Sequence, residues 1–256
     1  MKRCLVSLTS LLLAVALTAC GSSGSQEAAQ APTEETEASA QATDDVKEDD
    51  LEATDSSSAS EETGDDSSNE AEPAEKEEEF ERGTIDGDTY RSKFFGISYT
   101  LPEDYEFATD EQLAEMANIT TDMLEDEASQ KALESGRVLF DMYAYAPDGQ
   151  NISITIEKAN ALTGVLISVD QYREICISKL DGQLEGTGME VTAHDDTTYR
   201  IGDTDYPAEN IVLSYEGTEI FEKLIFLKNG SIFGMMTATS PSFEGAEQLL
   251  SHCAEI

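Results

Sequence analysis

One histidine and four aspartates lie close together in the second half of the sequence, where their side chains could bind a cation. His194 is followed directly by two of the aspartates, and the other two lie beyond a short strand pattern. The four are Asp195, Asp196, Asp203 and Asp205. Because Ca²⁺ takes about six to eight oxygen ligands, this spacing is compatible with a cation site at hairpin ends. Aspartates are also common in solvated turns, which explains the same residues without a ligand.

Two cysteines, Cys176 and Cys253, follow the N-terminal quarter of the chain. Both fall on apolar helical stripes, a position typical of small buried side chains. If the two helices lie on one face of a sheet, a disulfide could join the cysteines. Neither has the basic neighbours that activate a thiol, so the sequence favours a structural role over a reactive one.

No motif in the sequence is specific for catalysis. Gly186-Thr187-Gly188 lacks the third glycine of a dinucleotide-binding loop, and Ser231 is not placed as in a nucleophile elbow. Asp and Glu are so numerous that no glycosidase-like pair can be singled out. We therefore predict a protein that is not an enzyme and that needs no cofactor.

The charge of the chain excludes one class of partner. It has 54 Asp and Glu side chains against 15 Lys and Arg, and its formal net charge is −39 at pH 7. Such a composition cannot assemble a basic face. We therefore expect no binding to nucleic acid and no attraction to anionic headgroups.

The first twenty residues combine the features of an export signal. Lys2 and Arg3 precede an apolar run that is too short to span a bilayer as a helix. The run ends in Leu17-Thr18-Ala19-Cys20, which resembles the lipobox of bacterial lipoproteins. The resemblance implies a signal peptide over residues 1–19 and acyl chains such as palmitate on Cys20. It also implies a protein anchored in the cell membrane through Cys20, on the extracytoplasmic face. The alternative is a secreted protein that keeps an unmodified Cys20.

Residues 20–83 are predicted to form a disordered acidic tether. Between Gly21 and Arg82 there are 22 acidic residues and three basic ones, a net charge of −19, and the first aromatic residue is Phe80. So few apolar side chains cannot bury enough surface to offset the entropy of ordering. A passive spacer is the simplest role for this segment, and an acidic tail that binds a cation or a partner is the alternative.

Residues 84–256 alternate between strand and helix patterns. Strand patterns cover Phe94–Leu101, Val138–Ala146, Asn151–Lys158, Glu190–His194, Thr198–Ile201, Ala208–Tyr215, Thr218–Leu227 and Ser231–Thr239. Helix patterns follow capping boxes at Thr109 and Ser168, cover Thr121–Ser135, and begin again after Ser240 with Cys253 on the inward stripe.

The order of these patterns predicts an α+β domain. Asn229-Gly230 between two apolar runs is a strong hairpin signal. In Asn151–Lys158 the isoleucines alternate with polar residues, which predicts one buried face and one polar face. We expect a mostly antiparallel sheet of about six to seven strands, covered by helices on both faces.

The domain resembles the PsbP/Mog-like group of α/β/α sandwich proteins, which includes DcrB-like bacterial lipoproteins. The residues that carry the resemblance are Phe95 to Pro102, Gly202 with Tyr206-Pro207-Ala208, Tyr215-Glu216-Gly217, Asn229 to Phe233, and Phe243 to Ser251. The resemblance covers nearly all of residues 84–256. It implies the fold but no shared catalytic motif, because members of the group do unrelated things.

The sequence therefore predicts a lipid-anchored extracytoplasmic lipoprotein at the cell surface. Its domain is expected to be a non-enzymatic binding or envelope accessory module, with an envelope protein or a ligand of unknown identity as partner. The alternative is a small-molecule or Ca²⁺-binding domain that uses the acidic loops from His194 to Asp205.

Overall fold

Two antiparallel sheets and four α-helices make up the described part of the chain. The computed structural model describes residues 79–159, 164 and 166–256, apart from the side chain of Asp126. The predicted signal peptide, Cys20 and the predicted tether as far as residue 78 lie outside these residues. The fold below is therefore that of the predicted domain and the five residues before it.

The larger sheet has seven strands in the order β4-β5-β6-β10-β9-β8-β7, and each is antiparallel to its neighbours. The strands are β4 (Glu106–Phe107), β5 (Leu139–Tyr145), β6 (Asn151–Lys158), β7 (Met189–Ile201), β8 (Thr204–Tyr215), β9 (Thr218–Asn229) and β10 (Ile232–Ser240). The predicted hairpin at Asn229-Gly230 joins β9 to β10, and β7 forms one edge of the sheet.

A smaller sheet of four strands has the order β1-β2-β3-β11. Its strands are β1 (Thr84–Asp86), β2 (Thr89–Ser92), β3 (Ile97–Thr100) and β11 (Cys253–Glu255). The strand predicted over Phe94–Leu101 is shorter than expected, because Gly96 turns the chain with a φ of +69°. The ring of Phe95 then packs against Gly234. A β-carbon on residue 234 would lie only 2.9 Å from that ring.

Four helices connect and cover the strands. They are α1 (Asp110–Met116), α2 (Asp126–Glu134), α3 (Val169–Leu184) and α4 (Phe243–Leu250), and a 3₁₀ turn covers Thr121–Leu124. The capping boxes predicted at Thr109 and Ser168 are both confirmed. The helix predicted over Thr121–Ser135 is divided, because Glu125 has an extended backbone between the 3₁₀ turn and α2.

The two faces of the larger sheet have separate apolar cores. On one face, the isoleucines of β6 join side chains of the smaller sheet and of α4, among them Tyr90, Tyr99, Ala246 and Leu250. On the other face, α3 places Tyr172 on Phe233 with ring centroids 4.2 Å apart, and α1 packs its Leu113 beside Phe140. Helices thus cover both faces of a seven-stranded antiparallel sheet, and the predicted α+β fold class is confirmed.

Three local predictions are wrong. The two short strands predicted around His194 are one continuous strand, β7, since it pairs with β8 along its length and its charged side chains face solvent at the sheet edge. The predicted polar face of β6 is buried as fully as its isoleucine face over residues 151–156. Cys253 is not in the last helix, because α4 ends at Leu250 and β11 then pairs with β3.

A buried carboxylate holds the start of the domain in place. Asp141 lies at an irregularity in the pairing of β5 with β6, and its side chain is fully buried. It accepts hydrogen bonds from the Tyr90 hydroxyl and from the Gly83 amide, the latter at 3.0 and 3.2 Å. Arg82 Nε lies 3.5 Å from the same carboxylate. Burial raises the pKa of Asp141, and the hydrogen bonds and the charge of Arg82 offset this rise only in part.

Candidate functional site

A cleft of about 650 Å³ lies between α3 and the outer strands of the larger sheet. The buried stripe of α3 recurs every four residues and lies over β7, β8 and β9. The neighbouring side of the helix presents Arg173, Ile177 and Asp181 to the cleft, opposite His194, Asp196 and Glu209. The volume falls within the range of about 300–1,000 Å³ that is usual for ligand sites.

Arg173, Glu209 and His194 form a chain of polar contacts in this cleft. The Glu209 side chain is only 4% exposed, and it accepts a hydrogen bond of 3.1 Å from Arg173 Nη1. Its other oxygen lies 2.8 Å from His194 Nδ1. In the ladder between β7 and β8, Glu209 lies directly opposite Asp196. His194 lies two residues from Asp196 and therefore projects from the same face of β7. Both oxygens of this buried carboxylate therefore have partners.

Arg173 keeps some capacity to donate hydrogen bonds. Its Nη1 also lies 3.5 Å from Asp196, whose side chain is 80% exposed. Ion pairs with so exposed a partner contribute about 0–1 kcal/mol, so a ligand can displace this contact at little cost. The Nε atom of Arg173 is buried and has no hydrogen-bond partner. The cleft thus presents an arginine that is held by Glu209 and is open to a further acceptor.

The four aspartates of the predicted cation site do not converge. Asp195 lies on the opposite face of β7 from Asp196 and accepts from Asn210 Nδ2 at 3.0 Å. Asp205 pairs with Arg200 at the far end of the hairpin, at 2.7 Å. Asp203 lies in the turn, and its backbone amide donates to Glu255. Across residues 79–159 and 166–256, no three His, Cys, Asp or Glu side chains are grouped so that they could hold a metal ion.

The cleft does not have the geometry of a nucleophilic triad. Ser178 supplies a hydroxyl to its lining, but that hydroxyl donates to the Ile175 carbonyl of the same helix at 2.8 Å. A triad requires the nucleophile to donate to the base, which here would be His194. Ser178 and His194 therefore do not form a nucleophile and base pair in this structure.

The two cysteines lie on opposite faces of the larger sheet. Cys176 belongs to the core under α3, whereas Cys253 packs against the core on the side of the smaller sheet. No disulfide joins them, so the disulfide alternative is wrong; Cys176 is buried as predicted, whereas Cys253 is only partly buried. Burial raises the pKa of the Cys253 thiol to about 12, which makes it a poor nucleophile.

A third buried carboxylate, Glu222 in β9, has a different environment. Its side chain is fully buried and accepts one hydrogen bond, from Thr239 Oγ1 at 3.2 Å. Its Oε2 atom has no hydrogen-bond partner. Burial raises the pKa of Glu222 to about 7, and the bond from Thr239 opposes this rise only in part.

Sequence reasoning identified His194 and Asp196 but missed Arg173, Glu209 and Glu222. Neither glutamate carried a clear signal, because each has a polar neighbour within a mixed strand pattern: Asn210 follows Glu209 and Lys223 follows Glu222. Arg173 carried no signal either, because it lies on a polar part of a helix pattern.

Among residues 79–159 and 166–256, no helix combines the length and the apolar character that crossing a membrane requires.

Comparisons with known proteins give only distant structural matches. No protein-family profile matches the chain, and no curated protein matches it. A cyanobacterial PsbP from Synechocystis sp. PCC 6803 matches with a TM-score of 0.40 and 8% identity, over 68% of this chain and 98% of that one. A protein of Bacteroides thetaiotaomicron VPI-5482 matches with a TM-score of 0.36 and 17% identity, over 67% of this chain.

The chain spans about half of the Bacteroides protein, 49% of its length. A PsbP protein is thus among the solved structures to which this chain is similar. At these TM-scores neither match carries an argument about activity, ligand or partner. The α+β class rests on the strands and helices themselves.

Proposed function

We propose that this protein is a lipid-anchored extracytoplasmic lipoprotein whose folded domain is a non-enzymatic binding module. The observation that carries the proposal is Leu17-Thr18-Ala19-Cys20, placed after a basic start and a short apolar run. Cleavage before Cys20 and acylation of its thiol would leave the domain on a membrane surface, and two or more acyl chains hold a protein there stably.

The acidic segment between Cys20 and the domain supports this arrangement. A neutral flexible chain of its length has an end-to-end distance of about 45 Å, and the net charge of −19 between Gly21 and Arg82 extends it further. The partner of the domain would then lie beyond the membrane surface. The cleft at Arg173, Glu209 and His194 is the binding site that we assign to the module.

Cys20→Ala is expected to abolish lipid labelling and to release the protein from the membrane fraction, because it removes the lipobox thiol that would carry the acyl chains. The measurement is metabolic labelling with a radioactive fatty acid, followed by fractionation of membranes. Cys4→Ala is the matched control, since it removes the other cysteine of the N-terminal segment and leaves labelling unchanged. Equal labelling of both variants, or of neither, would overturn the anchor.

A second candidate function is the binding of a small molecule in the cleft, and its volume and the unpartnered Nε of Arg173 favour it. Ca²⁺ is expected to give no binding heat in calorimetry, because the candidate aspartates do not converge. A thermal-shift panel of amino acids, sugars and carboxylic acids tests the cleft itself. A stabilising compound that loses its effect in Arg173→Met but not in Arg200→Met would support this function. In the calorimetry, heat from Ca²⁺ binding that disappears in Asp203→Asn would instead support the cation site.

A further inference from the structure

Four polar side chains form a strip on the face of the larger sheet that also carries α3. Ser153 in β6 pairs with Thr237 in β10, and Thr239 in β10 pairs with Glu222 in β9. Paired residues project from the same face, as do residues two apart on one strand, so the four are neighbours. The opposite face of these strands is lined by apolar residues, among them Ile152, Ile154, Met236 and Ala238.

The strip is buried although it is polar. Each of its four residues is at most 2% exposed. The helix α1 packs on β5 and α3 packs on β7, β8 and β9, so the strip lies on the part of the sheet between them. A sheet face between two helices is normally apolar, because buried polar groups need hydrogen-bond partners.

The buried carboxylates of the domain differ in how their charge is compensated. Asp141 faces Arg82 and accepts from Tyr90 and Gly83, and Glu209 is paired with Arg173. Glu222 has only the hydroxyl of Thr239, and its second oxygen has no partner. Among the residues that the structure describes, no basic side chain contributes to the electrostatic environment of Glu222. The carboxylate that lacks a cation is the one that lies in the polar strip.

We propose that Glu222, together with Ser153, Thr237 and Thr239, binds the protonated amine of a small organic ligand. An ammonium group donates three hydrogen bonds and carries the positive charge that this site lacks, whereas an alcohol donates one and carries none. Residues 84–256 contain 32 acidic and 10 basic side chains, so the field of the domain attracts cations. The site lies on β6, β9 and β10, apart from the cleft at β7 and β8, and it does not depend on the lipid anchor.

Simple amines and their alcohols provide the test. The purified protein is mixed with primary alkylammonium ions of increasing length, from methyl to hexyl, or with the matching alcohols. Each compound is added at about 20 mM, a concentration suited to the low affinity of such small molecules. Thermal unfolding is then measured. A binding amine is expected to raise the midpoint by about 5–10 °C when its concentration is 100 times Kd, and the matching alcohol is expected to have no effect.

Three variants locate the effect. Glu222→Gln removes the charge with little change of shape, and it is expected to abolish the amine-induced shift. Glu219→Gln, an exposed residue of the same strand, keeps the shift. Thr237→Val, which replaces a hydroxyl by a methyl group, is expected to lower the affinity for the amine about tenfold.

The proposal is overturned if no amine shifts the midpoint, if alcohols act as strongly as amines, or if the shift persists in Glu222→Gln. A shift produced by sugars and lost in Glu222→Gln would replace the amine by a polyhydroxylated ligand and would equally reject the proposal. None of these outcomes bears on lipid labelling at Cys20, so the two proposals fail separately.

Discussion

Glu222→Gln is expected to raise the free energy of unfolding by about 3 kcal/mol at about pH 8 and to leave it unchanged at about pH 4. Burial raises the pKa of Glu222 from 4.5 to about 7, so the folded state binds this proton more tightly than the unfolded state. That stabilisation is fully present below the unfolded pKa and is lost as the pH rises from 4.5 through about 7. Gln keeps an acceptor for Thr239 but has no charge to bury.

Urea unfolding of the ligand-free protein at the two pH values measures this difference. The control is Glu219→Gln, which removes the same charge from an exposed position of β9 and should change the stability by at most about 0.5 kcal/mol. If Glu222→Gln were less stable than the parent protein at the higher pH, Glu222 would have a cationic partner in solution and the interpretation of an uncompensated carboxylate would be wrong.

Asp141→Ala is expected to lower the free energy of unfolding by about 3–5 kcal/mol, the range for breaking a buried ion pair from one side. The substitution leaves the Tyr90 hydroxyl, the Gly83 amide and the Arg82 guanidinium without their shared acceptor. Each buried donor without a partner adds a penalty of about 1–3 kcal/mol, which the surrounding structure relieves only in part. Equilibrium unfolding in urea at neutral pH gives the value directly.

Asp110→Ala is the matched control for this prediction. Asp110 accepts from the same arginine, Arg82, at 3.3 Å, but its side chain is 57% exposed. Its loss should lower the stability by about 0–1 kcal/mol. If the two substitutions had equal effects, the importance of Asp141 would come from its charge alone and not from the buried network around it.

Local signals predicted much of the fold. The Asn229-Gly230 turn and the capping boxes at Thr109 and Ser168 depend on residues at most three positions apart, and all are present as expected. Strands and helices of this kind are encoded by short-range preferences, which a single sequence displays. For the same reason the α+β class could be predicted, whereas the second, four-stranded sheet was not predicted.

Errors arose where distant contacts decide the structure. The aspartates after His194 look like a turn in the sequence, yet pairing with β8 keeps them in one strand. Cys253 continues the apolar spacing of α4, yet a partner strand about 150 residues earlier takes it into β11.

The candidate site was only half predictable for a related reason. His194 and Asp196 are two residues apart, and their spacing alone drew attention to them. Arg173 and Glu209, which complete the cleft, are 36 residues apart in the sequence and meet only because α3 crosses β8. The strip around Glu222 takes residues from three strands, so no local window of the sequence contains it.

The smaller sheet joins residues from the two ends of the domain. Ser98 in β3 donates to the carbonyl of Ala254, 156 residues later, and the Ile256 amide donates to Gly96. During synthesis, N-terminal end first, β3 can gain this partner only after the rest of the domain has emerged. The smaller sheet, which depends on a contact between residues so far apart in the sequence, is therefore complete only once β11 is available.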